Sequence, residues 1–160
     1  MSANDSPRSL DRIMRTVRAT MRTRGLPRPD RLVISTRSRS VHLEFTSGTA
    51  PDRLAALLLW SVILDGLSLV WSHQPHNTVS VAATGRTRSG ISFGLAASVD
   101  VTDVDGHPGV DRGKPVVVLA GVFRLAPCVA ESVTYGEVAR LVHLGRSVLA
   151  RRSVAAGVAA

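Results

Sequence analysis

Five arginines recur at intervals of three or four near the start of the chain: Arg8, Arg12, Arg15, Arg18 and Arg22. At about 100° per residue they fall within an arc of about 120° on a helical wheel. A row of guanidinium groups on one helix face suits the phosphates of a polyanion. Each contact releases condensed counterions, so binding strengthens as salt is lowered. Arg24 adds a further arginine near the C-terminal end of the helix, outside that arc. No aromatic residue occurs in positions 1–40, so stacking on bases has no support there and backbone contact without sequence readout is the natural form. The same face could lie on an anionic membrane, but helices anchored in that way carry bulky Trp or Phe. It could also be the solvated side of an amphipathic helix with no ligand.

Other groupings carry less chemistry. Gly90-Ile91-Ser92-Phe93-Gly94 matches the text of a nucleophile elbow, which needs a sharp strand-to-helix turn to expose the serine. Here Ile91, Phe93 and Leu95 alternate straight through, as in a strand. His73 and His76 flank a turn without a third metal ligand nearby. Asp103, Asp105 and His107 alternate in an acidic stretch but lack the glutamate that closes a calcium loop. The run from Gly109 to Lys114 is too short for a phosphate-binding loop, and Pro115 stands where a hydroxyl would reach magnesium. Cys128 is the single cysteine, expected as a small buried apolar side chain. No catalytic residue, metal ligand or cofactor site emerges.

Thr134-Tyr135-Gly136-Glu137-Val138-Ala139-Arg140-Leu141 resembles a stretch of the alkylguanine-DNA alkyltransferase family, where a similar Tyr-Gly-Glu segment opens a DNA-binding helix. That family's acceptor thiol sits in a Pro-Cys-His-Arg motif downstream of the helix. Here Pro127-Cys128 lies upstream and is followed by Val129-Ala130. Alkyl transfer is therefore not carried over, and the resemblance leaves Tyr135 and Arg140 as surface candidates. The same residues also form an ordinary capping box.

The elements that must position these side chains follow from periodicity. Leu10, Ile13, Met14, Val17 and Met21 form an apolar stripe opposite the arginines, predicting a helix from Ser9, as cap, to about Arg24. Gly25, Pro27 and Pro29 stop it. Alternation over 31–36 and 40–46 predicts a hairpin with Val41, Leu43 and Phe45 facing the core. Thr49, Pro51 and Asp52 open a helix reaching about Leu64, apolar almost all round and therefore expected at the buried centre. Three alternating strands follow. Leu67, Leu69, Trp71 and His73 share one face, then Val79, Val81 and Ala83, then Ile91, Phe93, Leu95 and Ala97. Residues 100–113 read as an acidic loop, and 115–124 as a fourth strand of this meander, buried on both faces. Thr134 and Glu137 cap a last helix running to about Ala150.

The fold class is α+β: an antiparallel sheet packed against a buried central helix and a C-terminal helix, with the basic helix in front. Residues 8–152 form one domain between loose tails at 1–7 and 153–160. The chain of 160 residues carries a net charge of +8, of which +7 resides in residues 1–40. Of its 20 basic residues only Lys114 is lysine, a bias that reads as codon usage, so the placement of charge is the signal and its arginine content is not. One cysteine fits a reducing cytoplasm, and Asp65-Gly66 breaks the longest apolar run, leaving no good membrane span. The arginine- and serine-rich start is similar to an organellar transit peptide, against which Asp5 and Asp11 count. The expectation is a non-enzymatic, cytoplasmic nucleic-acid-binding protein without cofactor, using Arg8, Arg12, Arg15, Arg18, Arg22 and Arg24. The alternative is an oligomerisation module docking through the apolar stripe of the first helix.

Overall fold

A computed structural model of the chain describes residues 5–159, with side chains from Pro7 onward. These residues form three helices: α1 (Asp5–Arg24), α2 (Ala50–Ser61) and α3 (Tyr135–Val158). The strands are β1 (Arg31–Ser35), β2 (Ser40–Phe45), β3 (Asp65–Gln74), β4 (Thr78–Arg86) and β5 (Ser92–Asp100). A 3₁₀ turn at Val101–Val104 leads to β6 (Gly106–Asp111), β7 (Lys114–Leu119), β8 (Phe123–Leu125) and β9 (Glu131–Ser132).

Six strands make a mixed sheet in the order β1-β2-β5-β4-β3-β9, and β6-β7-β8 make a separate antiparallel sheet. The α+β class and the hairpins β1–β2, β3–β4 and β4–β5 match the sequence reading. One pairing does not follow from hairpins. β2 lies parallel to β5, with Val41 beside Phe93 and Leu43 beside Leu95, so the first hairpin extends the meander. Val41, Leu43, Phe45, Val79, Val81, Phe93, Leu95 and Ala97 are buried on the face that α2 covers. The opposite face carries Ser40, His42, Ser80, Ser92 and Gly94, as period-2 alternation requires.

Several sequence expectations need correction. Residues 115–124 do not join the meander, because β7 pairs with β6 and β8 instead. The acidic stretch supplies β6, and Arg112 and Gly113, at φ 47° and 77°, close a two-residue turn into β7. Positive φ at both central positions gives the twist that adjacent antiparallel strands need. Only Val117 and Leu119 of β7 are buried, while Val116 and Val118 are half-buried. α2 is buried through Leu54, Leu57, Leu58 and Trp60, but Leu59 is 50% exposed and Val62, its C-cap, is 68% exposed. The sheet and α3 both pack on α2, and among the described residues only a narrow strip around Asp52, Leu59 and Val62 stays open. Finally, α1 begins at Asp5, ahead of Ser9, and α3 continues to Val158 with an exposed last segment. Of the tail expected over 1–7, residues 1–4 lie outside the described residues, as does Ala160.

Both capping boxes form. The Thr49 and Asp52 side chains bond each other's backbone amides at the start of α2, and Thr134 with Glu137 do the same for α3. Each cap satisfies donors that the first helical turn cannot, worth about 1 kcal/mol.

The link from α1 to the sheet is held by a carboxylate clamp. Asp30 accepts from the Thr46 amide at 2.6 Å, the Ser47 amide at 2.9 Å and the Ser47 hydroxyl. These bonds favour the ionised form, the Ser47 hydroxyl most, and lower the Asp30 pKa to about 2. The unfolded value is about 3.9, so the clamp's contribution is complete above that pH and is lost as pH falls toward 2. Asp30→Asn is expected to flatten the acid limb of a urea-midpoint profile between about pH 4 and pH 2, where the unfolded and folded carboxyls titrate in turn. Parallel acid limbs for the two proteins would contradict this account.

The second sheet depends on a close approach at Gly106. A Cβ there would meet the Val101 Cγ1 at 2.3 Å and the Val101 carbonyl oxygen at 2.6 Å. The backbone oxygen cannot swing away as a side chain can. Gly106→Ala is expected to cost about 1–3 kcal/mol, the range for overpacking a well-filled site, as read from thermal or urea unfolding. A stability within a few tenths of the parent would show that the 3₁₀ turn yields freely.

Candidate polyanion-binding surface

α1 exists because its two faces differ in kind. Ile13 and Val17, 3% and 1% exposed, anchor it to the core, with Met14 and Met21 half-buried beside them. Helical geometry then turns Arg8, Arg12, Arg15, Arg18 and Arg22 outward, and all of them are exposed. Arg24 is exposed too, on another side of the helix, where it lines a cleft against α2 and the β4–β5 turn. Among the described residues, ion pairs join Arg31 to Glu44 at 3.6 Å, Arg124 to Asp111 at 3.3 Å and Arg152 to Asp103 at 3.0 Å. None involves an arginine of α1. Asp11 sits within the arginine arc and offsets part of its charge, yet forms no ion pair there. Among the described residues, the guanidinium groups of α1 therefore face solvent without a carboxylate closing on them.

Along the flank of α1, the Thr16, Thr20 and Thr23 hydroxyls donate to the carbonyls of Arg12, Thr16 and Ala19. Their oxygens remain able to accept. Facing this flank are the tips of two hairpins, brought together by the parallel β2–β5 pairing. One tip carries Arg37 and Arg39 and the other Arg86, Arg88 and Ser89. The Arg39 Nη2 donates to the Ser89 carbonyl at 3.4 Å, and the Ser92 amide donates to the Arg39 carbonyl at 3.1 Å. Arg88 and Arg86 were not among the residues singled out by sequence. Their only signal was two further arginines beside a turn.

The remaining candidates are scattered or engaged. Ser92 opens β5 in regular register, opposite Ser40 and Arg86, with no helix following it. It does share an open hollow of about 410 Å³ with His42, Asp65 and Arg86, formed because Gly85 and Gly94 leave room on the sheet. No hydrogen bond among the described residues links those side chains into a relay. Cys128 is exposed rather than buried: its amide is held by the His73 carbonyl at 2.9 Å while its side chain faces out. His76 sits in the β3–β4 turn at φ 67°. His73 lies on β3, and neither of its buried ring nitrogens finds a partner among the described residues. Asp103 pairs with Arg152, Asp105 ends the 3₁₀ turn in a left-handed conformation, and His107 lies on β6. Among the described residues no three His, Cys, Asp or Glu side chains gather as a metal site would need. Tyr135 is exposed, and the Arg140 guanidinium stands 6.0 Å from the Phe123 ring centroid, a cation–π contact.

No helix among the described residues is long and apolar enough to cross a membrane. Comparison with protein-family models, with curated proteins and with solved structures finds no match to the chain.

Proposed function

We propose that the chain is a non-enzymatic nucleic-acid-binding protein that grips phosphates through α1. The observation that carries this reading is the row of exposed arginines on α1 that form no ion pair among the described residues. Arg12, Arg15, Arg18 and Arg22 make the central contacts, with Arg8 and Arg24 at the two ends. Because α1 is anchored through Ile13 and Val17, the charges are held on a fixed surface. That reduces the ordering cost that a loose basic tail would incur on binding.

Such contacts give affinity through counterion release and little discrimination among sequences. Titration of duplex DNA and RNA across a salt series tests the reading. Binding that strengthens steeply as salt is lowered and depends on the α1 arginines agrees with it. No measurable affinity at low salt excludes it. The alternative, self-association through the apolar stripe of α1, would have to use Leu10, 41% exposed, because Ile13 and Val17 are already covered within one chain. Light scattering of the intact chain separates the two readings.

A further inference from the structure

Between α1 and the two hairpin tips lies a cleft of about 200 Å³. Its floor is apolar, made by Ile13 and Ile91, and its polar wall is Ser9, Arg12, Thr16, Arg39 and Ser89. We propose that this cleft seats one phosphodiester group of the bound nucleic acid. The proposal rests on the polyanion reading and gives it a specific anchoring point.

The first argument is charge. Two arginines from separate elements, α1 and the β1–β2 turn, share one small cleft that no carboxylate lines among the described residues. Unoccupied, they repel each other, and an oxyanion between them removes that repulsion. The neighbouring cleft of about 400 Å³, between Arg24 and Arg88, shares Thr16 and Ser89 with this one but also contains Asp65. An anion is therefore drawn to the Arg12 and Arg39 end.

The second argument is preorganisation. Arg39 is fixed over the β4–β5 turn by its bond to the Ser89 carbonyl, which uses one of its five N–H donors. Arg12 rises from a docked turn of helix, one residue before buried Ile13, and has no ion-pair partner among the described residues. The Ser89 hydroxyl, 2.9 Å from that of Thr87, supplies a further polar contact at the rim. The apolar floor strengthens charge-assisted bonds made above it. In volume the cleft equals several waters at about 30 Å³ each, room for a phosphate group and part of its hydration.

The experiment has two readouts on the intact chain. In the first, inorganic phosphate is titrated while backbone amide resonances are followed. Saturable shifts are expected, confined to residues 9–16, 37–40 and 87–91. Arg39→Ala should weaken that binding by roughly tenfold, as loss of a charge-assisted contact implies, and Arg39→Lys less. Arg88→Ala removes the same charge from outside the cleft and should leave the phosphate shifts in place. In the second readout, Arg39→Ala should reduce duplex affinity and lower the slope of log K against log salt by about 0.9. Phosphate shifts spread evenly along α1, or equal losses in Arg39→Ala and Arg88→Ala, overturn the seat while leaving α1 as a general polyanion surface. If the chain binds no duplex yet phosphate saturates the cleft, the seat stands and the nucleic-acid reading fails.

Discussion

Replacing Arg12, Arg15, Arg18 and Arg22 together by alanine is expected to weaken duplex binding about a thousandfold at roughly 0.1 M salt. The estimate follows from counterion release. Each phosphate contact contributes about 0.9 to the slope of log K against log salt, so four contacts across one decade of salt amount to between three and four logarithmic units. The slope itself should fall by about 3.6. The fold is expected to tolerate the change, because these side chains are exposed and hold no ion pair among the described residues. Alanine is also the best helix former. A four-lysine variant keeps the charge and should retain most of the slope, losing only what the planar guanidinium adds. An unchanged slope in the alanine variant would remove α1 as the binding surface, even if the chain still bound nucleic acid.

The largest expected effect on stability is at Trp60. Its side chain is 0% exposed, its indole N–H donates to the Pro27 carbonyl at 2.8 Å, and its ring stacks on Phe93 at a centroid distance of 6.0 Å. One residue thus ties α2 to β5 and to the segment that leads out of α1. Trp60→Ala leaves a large cavity and an unpaired carbonyl, and is expected to cost about 3–5 kcal/mol. Against a typical total of about 5–15 kcal/mol, that consumes about a fifth or more of the margin. Trp60→Phe restores much of the volume but not the donor, and should cost about 1–3 kcal/mol for the stranded acceptor. Urea unfolding of the three proteins measures both steps. Equal midpoints for the phenylalanine variant and the parent would show that the Pro27 carbonyl is satisfied by water.

The features legible in the sequence are those written locally. Val41, Leu43 and Phe45 alternate because one face of β2 is buried, and Thr49 with Asp52 marks the start of α2 within four residues. The meander was readable for the same reason, since each of its hairpins joins neighbours in the chain. What was not legible depends on partners far away in sequence. The valines of 116–118 read as a central strand of the main sheet. In the fold β7 does lie between two neighbours, but in the smaller sheet, and only alternate residues reach the core. Apolar continuity reports that a strand is shielded, not which sheet shields it. α2 departs from its reading only in part: the sheet and α3 both pack on it, and Leu59 and Val62 lie on the narrow strip left open. For the candidate surface, helical spacing identified the α1 arginines. Their proximity to Arg39 and Ser89 needs two turns brought together by the parallel β2–β5 pairing, and no local pattern encodes that.

That parallel pairing also has a kinetic consequence. Arg39 and Ser89 are separated by 50 positions along the chain, so their meeting requires closure of a long loop, whose entropic cost comes before any contact made on closing it. The hairpins β3–β4 and β4–β5 close over short turns and can form early. The junction of β2 with β5, and with it the cleft beneath α1, is expected to be completed after them. An occupant that recognises only the finished cleft stabilises the native state and not the folding transition state. Its effect therefore falls on the rate of unfolding and leaves refolding nearly unchanged.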